Sequence, residues 1–479
     1  MTPGRWQALA IQSLPSFHLS SFAFEPMHIP SVIVLVSAAA TTSAITIDTA
    51  SKSAVLAAAK AAQWPLKMFY DANQENNGAW IEQFSDGHWN VQWHESGEYW
   101  GLYYKYMQYS GDYSYLDWVD KNMQLSAGGN PDFLDGMSAV LEESGRWNDD
   151  IGWWGISVMC AAETFGQNAI VAKNNVQSGF NPTYFELANV TYTEITAQWD
   201  NKCGGGIYWD RSRTTGTDNQ RNYKSTITNV EVMEIGARLY AMTGIASYKT
   251  EVDQIYAWLK SSGIISSTYT IYDGVSVTDC TAINQDVYSY HAGPLLSAFA
   301  AMYRKTQDSS YQTEGNNVYN AIVRQFVASD KTLSIEPTCP TKGCKDPNAY
   351  KWPLYRGIAD WHDVTTDAGI KSSIEEVMRA TATANFAGCD SSWYCIRNLP
   401  AATSFTLQNG TNPRDQFETM AILNSLAIIN GNTQTLNGAG VAPGGNGNQP
   451  VSTVNPSKTG GAGFLAPAFI VAAIVASLL

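Results

Sequence analysis

The chain has 479 residues, of which 44% are hydrophobic and only 15% are charged, and its formal net charge is −14. This length allows one large domain or two ordinary ones, each with a substantial core. The acidic balance argues against nucleic acid and anionic lipid surfaces as partners. Aromatic residues make up 12%, including 16 Trp and 25 Tyr. Because aromatic faces stack on the C–H surfaces of sugars, this composition favours a neutral hydroxylated ligand, although most of the rings are expected to fill the core.

The N-terminal region has the pattern of a signal peptide. Residues 31–44 read S-V-I-V-L-V-S-A-A-A-T-T-S-A, an apolar run that ends in small residues, as expected before a cleavage site. Residues 1–44 are therefore interpreted as a signal peptide or leader. Translation from Met27 would give a compact signal peptide, so residues 1–26 are interpreted as an irregular leader or as the result of a mis-assigned start codon. The alternative is a single membrane anchor, for which the run is short.

The C-terminal region has the pattern of a GPI-attachment signal. Residues 431–463 form a flexible stalk rich in Gly, Ser and Asn, and residues 464–479 form an apolar tail without a charged residue. This order is typical of a GPI signal whose tail is removed, with Asn446 and Ser452 as candidate attachment residues. A tail-anchored span is the alternative, but the tail is short for one. The sequence therefore predicts a protein secreted through the ER and anchored by GPI at the outer face of the plasma membrane or in the cell wall.

The seven cysteines agree with an oxidising compartment. Four of them form close pairs with the spacing of local disulfides, namely Cys339 with Cys344 and Cys389 with Cys395. Cys203 and Cys280 could form a third disulfide, and Cys160, in an apolar helical run, is predicted to be free and buried. The spacing does not fit a structural zinc site, so no metal is predicted. Sequons place candidate glycosylation sites at Asn189 and Asn409.

Residues 45–430 lack a long Gly-, Pro- or Ser-rich break and are predicted to form a single domain. The hydrophobic periodicity is mostly helical. The clearest predicted helices span residues 51–69, 99–111, 229–244, 291–306 and 417–431. Three helices lead through a short turn into another helix with Tyr at a fixed offset, as in S-G-D-Y-S-Y and T-G-I-A-S-Y. Repeated helical hairpins without a strict period favour an all-α fold, a closed α/α barrel, over a solenoid.

Two adjacent carboxylates, Asp149 and Asp150, lie among tryptophans in the segment R-W-N-D-D-I-G-W-W. Like charges repel, and nearby apolar surface raises the cost of ionising either group. A helix N-cap would explain one of them, with Asn148 or Asp149 in that position. Catalysis would use both, because retaining glycosidases need two carboxyl groups about 5–5.5 Å apart. Adjacent residues at the start of a helix can reach roughly that distance.

Three other segments have a similar composition, residues 89–100, 199–210 and 284–293. In C-G-G-G-I-Y-W-D the glycines allow a close backbone approach, and the aromatic pair that follows forms a sugar platform or a packed hairpin tip. Lys224 could bind sugar hydroxyls, although a surface lysine is the simpler interpretation. The half-match of residues 71–82 to a calcium loop is interpreted as coincidence. The candidate substrate-binding residues are His94, Trp153, Tyr208, Trp209 and Tyr290.

These motifs resemble those of glycoside hydrolase family 76, and more closely its fungal GPI-anchored cell-wall branch of mannan endo-1,6-α-mannosidases. W-N-D-D-I-G-W-W, C-G-G-G-I-Y-W-D, N-Y-K-S-T and the Tyr-rich segment near residue 290 carry the resemblance, which covers roughly residues 45–430. It implies an (α/α)6 barrel and retaining cleavage of α-1,6-mannosidic bonds without a cofactor, with Asp149 as nucleophile and Asp150 as general acid/base. Bacterial members commonly have Y-N-Q-G where this chain has Y-H-A-G at residues 290–293, a departure that fits an altered subsite or acceptor.

The same resemblance implies a role in fungal cell-wall biogenesis. Members of the fungal branch are thought to cleave the mannose core of a GPI anchor and to transfer the protein onto wall glucan. The expected partners are α-1,6-mannan or a GPI-core glycan, with β-glucan as acceptor. Hydrolysis and transfer differ only in whether water or a sugar hydroxyl accepts the glycosyl group. The alternatives are a non-catalytic mannan-binding wall protein of the same fold and a structural wall protein whose aromatic residues only form the core.

Overall fold

The computed structural model describes residues 45–72, 82–83, 89–127, 132–134, 147–171, 182–214, 216–342, 351–396 and 413–431, with side chains for all of these except residues 71–72, 82–83 and 89–90. Several of the sequence-based predictions lie outside the described residues: the leader (1–44), the stalk beyond Gly431, the C-terminal tail (464–479), Asn409, Cys344 and most of the segment 71–82.

The described residues form fourteen helices and five short strands. The helices are α1 (Lys52–Ala72), α2 (Trp93–Ser110), α3 (Leu116–Ala127), α4 (Asn148–Phe165), α5 (Tyr184–Thr196), α6 (Asp218–Arg221), α7 (Thr226–Thr243), α8 (Ala246–Ser261), α9 (Ser289–Thr306), α10 (Ser309–Phe326), α11 (Cys339–Lys342), α12 (Trp352–Val364), α13 (Ala368–Phe386) and α14 (Pro413–Ile429). The strands are β1 (Glu82–Gln83), β2 (Trp89–Val91), β3 (Tyr223–Ser225), β4 (Gly274–Ser276) and β5 (Ile283–Asn284). They pair antiparallel in the orders β1-β2 and β3-β4-β5.

Six helices form a closed inner ring. Helix α2 packs against α4, α4 against α7, α7 against α9, α9 against α12, α12 against α14, and α14 returns to α2. An outer layer of α1, α3, α5, α8, α10 and α13 packs on this ring. The fold is therefore an (α/α)6 barrel, which confirms the fold predicted from the sequence. Within the part of the chain that is described, none of the helices combines the length and apolar character needed to cross a bilayer.

Three of the inner helices end at a residue with a left-handed backbone conformation, which turns the chain toward the outer layer. Helix α2 is followed by Gly111 (φ 68°), α7 by Gly244 (φ 73°) and α9 by Gln307 (φ 56°). Glycine adopts this conformation without steric cost, whereas glutamine does not. The Gln307 side-chain amide donates to the carbonyl of Arg304 at 3.2 Å, which satisfies one of the open carbonyls at the helix end. These are the three positions of the degenerate repeat seen in the sequence.

Glycine allows α9 and α12 to approach at backbone distance. A Cβ on Gly293 of α9 would overlap the backbone carbonyl of Pro353 on α12, and a Cβ on Gly357 of α12 would overlap the carbonyl of Gly293. Because main-chain atoms cannot rotate aside as side chains do, both positions require glycine. This contact brings the start of α12 against the start of α9.

The inner helices begin earlier than the sequence predicts. The helix predicted from residue 99 begins at Trp93, and the helix predicted from residue 417 begins at Pro413. Parts of the segments 89–100 and 284–293, predicted as loops, are therefore the first turns of α2 and α9. These turns carry polar and aromatic side chains that interrupt the amphipathic pattern on which helix prediction depends.

Two disulfides lie wholly within the described residues, Cys203–Cys280 and Cys389–Cys395. Cys339 also takes part in a disulfide, and its expected partner lies outside the described residues. Among the cysteines that the structure describes, Cys160 is the free thiol, and it is buried in α4. The link between Cys203 and Cys280 ties the Gly-rich segment near residue 205 to the loop after β4.

Asn189, a predicted glycosylation site, is half-buried within α5. Its Oδ1 accepts a hydrogen bond from the hydroxyl of Tyr248 at 2.7 Å. Thr191, which completes the sequon, is buried, and its hydroxyl donates to the carbonyl of Leu187 at 3.0 Å. An N-linked glycan attaches through Nδ2, which neither of these hydrogen bonds involves, so glycosylation at Asn189 stays a prediction.

Candidate active site

The N-terminal ends of all six inner helices line one cavity of about 210 Å³. The lining residues are Gln92, His94, Glu95 and Glu98 at the start of α2, Asp149 and Trp153 on α4, Ile227 on α7, Tyr290 on α9, Trp352 and Pro353 on α12, and Arg414 on α14. A helix N-terminus presents unpaired N–H groups and the positive end of the helix dipole. Six of them at one end of the barrel favour negative charge in the cavity.

Contacts with the Gly-rich segment fix the start of α4. The backbone N–H of Asn148 donates to the carbonyl of Trp209 at 2.9 Å, and its side-chain amide donates to the carbonyl of Tyr208 at 2.7 Å. Trp147 stacks on Trp209 with ring centroids 3.9 Å apart. The N-cap is Trp147 and makes no side-chain capping hydrogen bond. The prediction that Asn148 or Asp149 caps the helix is therefore wrong, and capping does not explain the carboxylate pair.

Lys224 holds the Gly-rich segment in place. Its side chain is fully buried, and Nζ donates to the carbonyls of Gly205 at 2.6 Å and Lys202 at 2.8 Å and to the carboxylate of Asp200. Neither sequence-based interpretation of this lysine, surface residue or sugar ligand, is correct. Tyr208 is likewise buried, with its hydroxyl donating to Asp200 at 2.8 Å. Tyr208, which was predicted to form part of a sugar platform, therefore belongs to the hydrogen-bonded group that holds the Gly-rich segment in place.

Asp149 presents a largely dehydrated carboxyl group to the cavity. Its Oδ1 has no hydrogen-bond partner within the described residues, whereas the carboxyl group accepts from its own backbone N–H and from the indole of Trp209. Burial raises the pKa of Asp149 to about 7, although these hydrogen bonds oppose the rise and the negative charge of Asp273 adds to it. This carboxyl group therefore changes protonation state near neutral pH.

Asp150 is buried more deeply than its neighbour. Burial, and then the charge of Asp149, raise its pKa well above the usual range. Its Oδ1 lies 3.4 Å from Nδ1 of His94, whose own pKa is lowered by burial. A neutral imidazole at this position is available to accept a hydrogen bond from the protonated carboxyl group. The two adjacent carboxyl groups therefore have different environments.

Asp273 supplies a fixed negative charge near the pair. Tyr223 donates to its Oδ2 at 2.6 Å and Asn284 at 3.0 Å, and Nε2 of His291 lies 3.4 Å from its Oδ1. Burial alone would raise the pKa of Asp273, but these partners outweigh burial and hold the pKa below its usual range. Tyr290 is next to this group and stands edge-on to His291, with ring centroids 4.4 Å apart. His291 thus lies beside Asp273 and is not among the described residues that line the cavity.

Two further glutamates lie close to the pair. Glu98 lines the cavity, and burial raises its pKa to about 7, an effect that the charge of Arg356 reduces. Glu231 is fully buried against Gly152 of α4, and burial followed by the charge of Asp149 raises its pKa well above the usual range. Despite these carboxyl groups, no three His, Cys, Asp or Glu side chains in the described part of the chain are arranged to hold a metal ion.

Glu95 and Arg414 close the wall of the cavity between α2 and α14. Nε and Nη2 of Arg414 donate to the two carboxylate oxygens of Glu95, each at 2.7 Å. Glu95 also accepts from the backbone N–H of Gln92 at 2.6 Å, which caps α2. Bidentate pairs of this kind fix both charge and orientation. The sequence analysis did not identify either residue, although Glu95 directly follows a predicted site residue.

The structure separates the five predicted substrate-binding residues into two groups. His94, Trp153 and Tyr290 line the cavity. Tyr208 and Trp209 are not among the lining residues that the structure describes, and the indole of Trp209 bonds Asp149 instead. The residues that the sequence analysis missed include Glu98, Arg414 and Glu231. An acidic residue inside an aromatic or apolar helical run, the signal that singled out Asp149, also marks Glu98 in H-E-S-G-E-Y-W and Glu231 in V-E-V-M-E.

Comparison with known proteins agrees with this architecture. The sequence profile described as glycosyl hydrolase family 76 matches residues 54–436. Among the most similar curated relatives, mannan endo-1,6-α-mannosidase DCW1 of Saccharomyces cerevisiae is 27% identical over 312 residues, covering 64% of this chain and 63% of the relative. Mannan endo-1,6-α-mannosidase DFG5 of the same yeast is 25% identical over 308 residues, covering 63% and 62%. The matches thus span less than two thirds of the length of either relative.

A solved structure is similar over a larger share of the chain. The crystal structure of Dfg5 from Chaetomium thermophilum in complex with glucosamine has 26% sequence identity and a TM-score of 0.67, and the match covers 80% of this chain and 92% of that one. The sequence profile, the relatives and this structure confirm the resemblance that the motifs around Asp149 and the Gly-rich segment indicated. The chain belongs to glycosyl hydrolase family 76.

Proposed function

We propose that this protein cleaves α-1,6-mannosidic bonds with retention of configuration at the anomeric carbon. The observation that carries the proposal is the pair Asp149 and Asp150, two adjacent carboxyl groups in different environments, both with a raised pKa, at the end of the barrel where the inner helices start. Retaining cleavage needs one carboxylate to attack and one carboxylic acid to protonate the leaving group. Family membership and the names of the yeast relatives support α-1,6-mannosides as the substrate class.

The environments of the two groups support a division of roles. Asp149 lines the cavity and accepts a hydrogen bond from Trp209, which favours its anion. In the first step its carboxylate attacks C1 of the mannosyl unit, the C1–O6 bond breaks, and the Asp150 proton passes to the leaving O6. In the second step an acceptor O–H attacks C1, its proton returns to Asp150, and Asp149 is released. Two inversions at C1 give net retention.

We further propose that the second-step acceptor is a sugar hydroxyl of β-glucan, and that the substrate is mannan or the mannose core of a GPI anchor. Under this proposal the protein acts outside the plasma membrane and is attached to it by its own GPI anchor. The signal-like segment and the apolar tail of the sequence support that location. The low charge and aromatic content of the chain agree with a glycan as the second partner.

The test is to incubate the soluble domain with α-1,6-mannotriose or a GPI-core glycan together with a labelled β-glucan. Mass spectrometry separates free from transferred products, and NMR of the first product gives its anomeric configuration. We expect an α-configured product and a loss of at least about a thousandfold in turnover for Asp149→Asn. The control is Asp218→Asn, because that carboxyl side chain is 84% exposed. Full activity in Asp149→Asn, or binding without any product in the unmodified protein, would contradict the proposal.

A further inference from the structure

The carboxyl group of Glu98 is a buried hydrogen-bond acceptor that lines the cavity and has no role in the proposed mechanism. Its side chain is 7% exposed, and it lines the same cavity as Asp149. Its Oε1 has no hydrogen-bond partner among the described residues. Buried carboxylate oxygens are normally bonded, because removal from water without a partner is unfavourable. A buried carboxyl group that lines a cavity and has an unpaired oxygen is therefore suited to a ligand that donates hydrogen bonds.

The nearest cation leaves this acceptor open. Nη2 of Arg356 lies 3.7 Å from Oε1 of Glu98, beyond hydrogen-bond reach, and Nη1 of the same arginine donates to Glu234 instead. Arg356 thus offsets the charge of Glu98 without occupying its oxygen. Arg238, like Glu234 a residue of α7, also donates to Glu234, at 2.9 Å, so Glu234 holds the guanidinium groups of both arginines.

The backbone that carries Glu98 is held rigidly. A Cβ on Gly97 would overlap the side chain and backbone N of Trp154, and the hydroxyl of Ser157 donates to the carbonyl of Gly97. Helix α2 is therefore fixed against α4, the helix that carries Asp149. Groups held by close packing of two helices keep their mutual geometry when a ligand binds.

We infer that Glu98 is a sugar-binding residue, whose carboxyl group accepts a hydrogen bond from a ring hydroxyl of the mannosyl unit that Asp149 attacks. The inference rests on the proposed function and adds a contact that selects the sugar. Both residues line one cavity of about 210 Å³, so a ring whose C1 reaches Asp149 lies in the cavity that Glu98 also lines. When Glu98 is ionised, its charge additionally favours the positive charge that develops on that ring during cleavage.

The experiment measures binding in the Asp149→Asn background, where the ligand is not consumed. Calorimetry gives the dissociation constants of α-1,6-mannobiose and of its 2-, 3- and 4-deoxy forms, with the change in the non-reducing ring. We expect Glu98→Gln, which keeps the shape and removes the charge, to weaken mannobiose binding about tenfold. The deoxy ligand that lacks the contacting hydroxyl should bind the parent weakly, and Glu98→Gln should reduce its affinity little further. The deoxy change and the Glu98→Gln change remove the same hydrogen bond, one from the ligand and the other from the protein.

The matched control is Glu418→Gln. Glu418 is a buried glutamate of α14 that accepts from the hydroxyl of Tyr355 at 2.8 Å and is not among the described residues that line the cavity. It should leave every dissociation constant unchanged. Thermal unfolding of all variants checks that each is folded.

Three results would overturn the inference, and they are distinguishable. Failure of the Asp149→Asn parent to bind any α-1,6-mannoside would overturn the proposed substrate and this contact together. Binding by the parent that Glu98→Gln leaves unchanged would overturn the contact alone. An equal loss for every ligand, including all deoxy forms, would show that Glu98 acts through the structure and does not touch a sugar hydroxyl.

Discussion

Asp149 carries its proton in the folded protein over a pH range in which an unfolded chain has already lost it. Burial raises its pKa to about 7 from a usual value of 3.8. Between these two values the folded state binds more protons than the unfolded state, so this group makes the protein less stable as pH rises. Above pH 7 the whole penalty is present. The ionised carboxylate of Asp149, which the proposed reaction needs, therefore lowers the free energy of unfolding.

Asp149→Asn should therefore stabilise the protein at high pH. We expect a gain in the free energy of unfolding of about 2–4 kcal/mol at pH 8, since one pKa unit corresponds to about 1.4 kcal/mol. The gain should become small as pH falls toward the unfolded value of 3.8, because below that value both the folded and the unfolded states hold the proton. Urea unfolding of both proteins between pH 4 and pH 8 measures the difference.

Asp218→Asn is again the control, because that carboxyl side chain is 84% exposed and is not among the described residues that line the cavity. An Asp149→Asn protein that is less stable than the parent at pH 8 would contradict the proposed ionisation.

The sequence identified the residues whose chemistry is visible locally and missed those that act across helices. Asp149 and Asp150 stand out because two like charges lie side by side among tryptophans. The sequence alone suggests that Lys224 is a surface residue. In the folded chain three carbonyls and a carboxylate surround its ammonium group. Arg414 is far in sequence from Glu95, its partner. A single sequence contains no local signal for such pairs.

The helices themselves were predicted better than their first turns. The interior and C-terminal end of α7 follow an apolar period and end at Gly244, as predicted. The first turns of α2 and α9 were assigned to loops, because residues such as His94 and Tyr290 face the cavity rather than a hydrophobic neighbour. The errors therefore concentrate where the candidate site lies, since local pattern and site chemistry conflict there.

The close contact of α9 and α12 makes a prediction at the scale of helices. Gly293→Ala would place a Cβ against the backbone carbonyl of Pro353, so one helix must move away from the other. We expect a loss of at least about 2 kcal/mol in the free energy of unfolding, because overpacking against main-chain atoms is not relieved by a rotamer change. Urea unfolding of Gly293→Ala and the parent protein measures this loss.

Gly369→Ala is the matched control for this contact. Gly369 lies in the first turn of α13, where a new Cβ would approach only the side-chain Oδ1 of Asp367, at 3.2 Å. Alanine favours a helix over glycine by up to about 1 kcal/mol, so this variant should be neutral or more stable. If the two variants proved equally stable, the close approach of α9 and α12 would not be required.

The whole barrel depends on closing the ring between its first and last inner helices. Asn424 of α14 donates to the carbonyl of Leu102 on α2 at 2.9 Å, and Arg414 bonds Glu95 across 319 residues of sequence. Contacts at this sequence separation form only when the other inner helices are in place, because closing so long a loop is entropically costly. The closure also completes the cavity, since both residues of the ion pair line it.

Arg414→Met tests this closure. The methionine would leave the buried carboxylate of Glu95 without its bidentate partner, and breaking a buried ion pair from one side costs about 3–5 kcal/mol. Combining Arg414→Met with Glu95→Gln removes the stranded charge and keeps an oxygen that can accept from the backbone N–H of Gln92, so the double variant should recover most of that loss. Denaturant unfolding of the three variants gives the coupling energy. If the double variant were as unstable as Arg414→Met alone, steric fit rather than charge pairing would join α14 to α2.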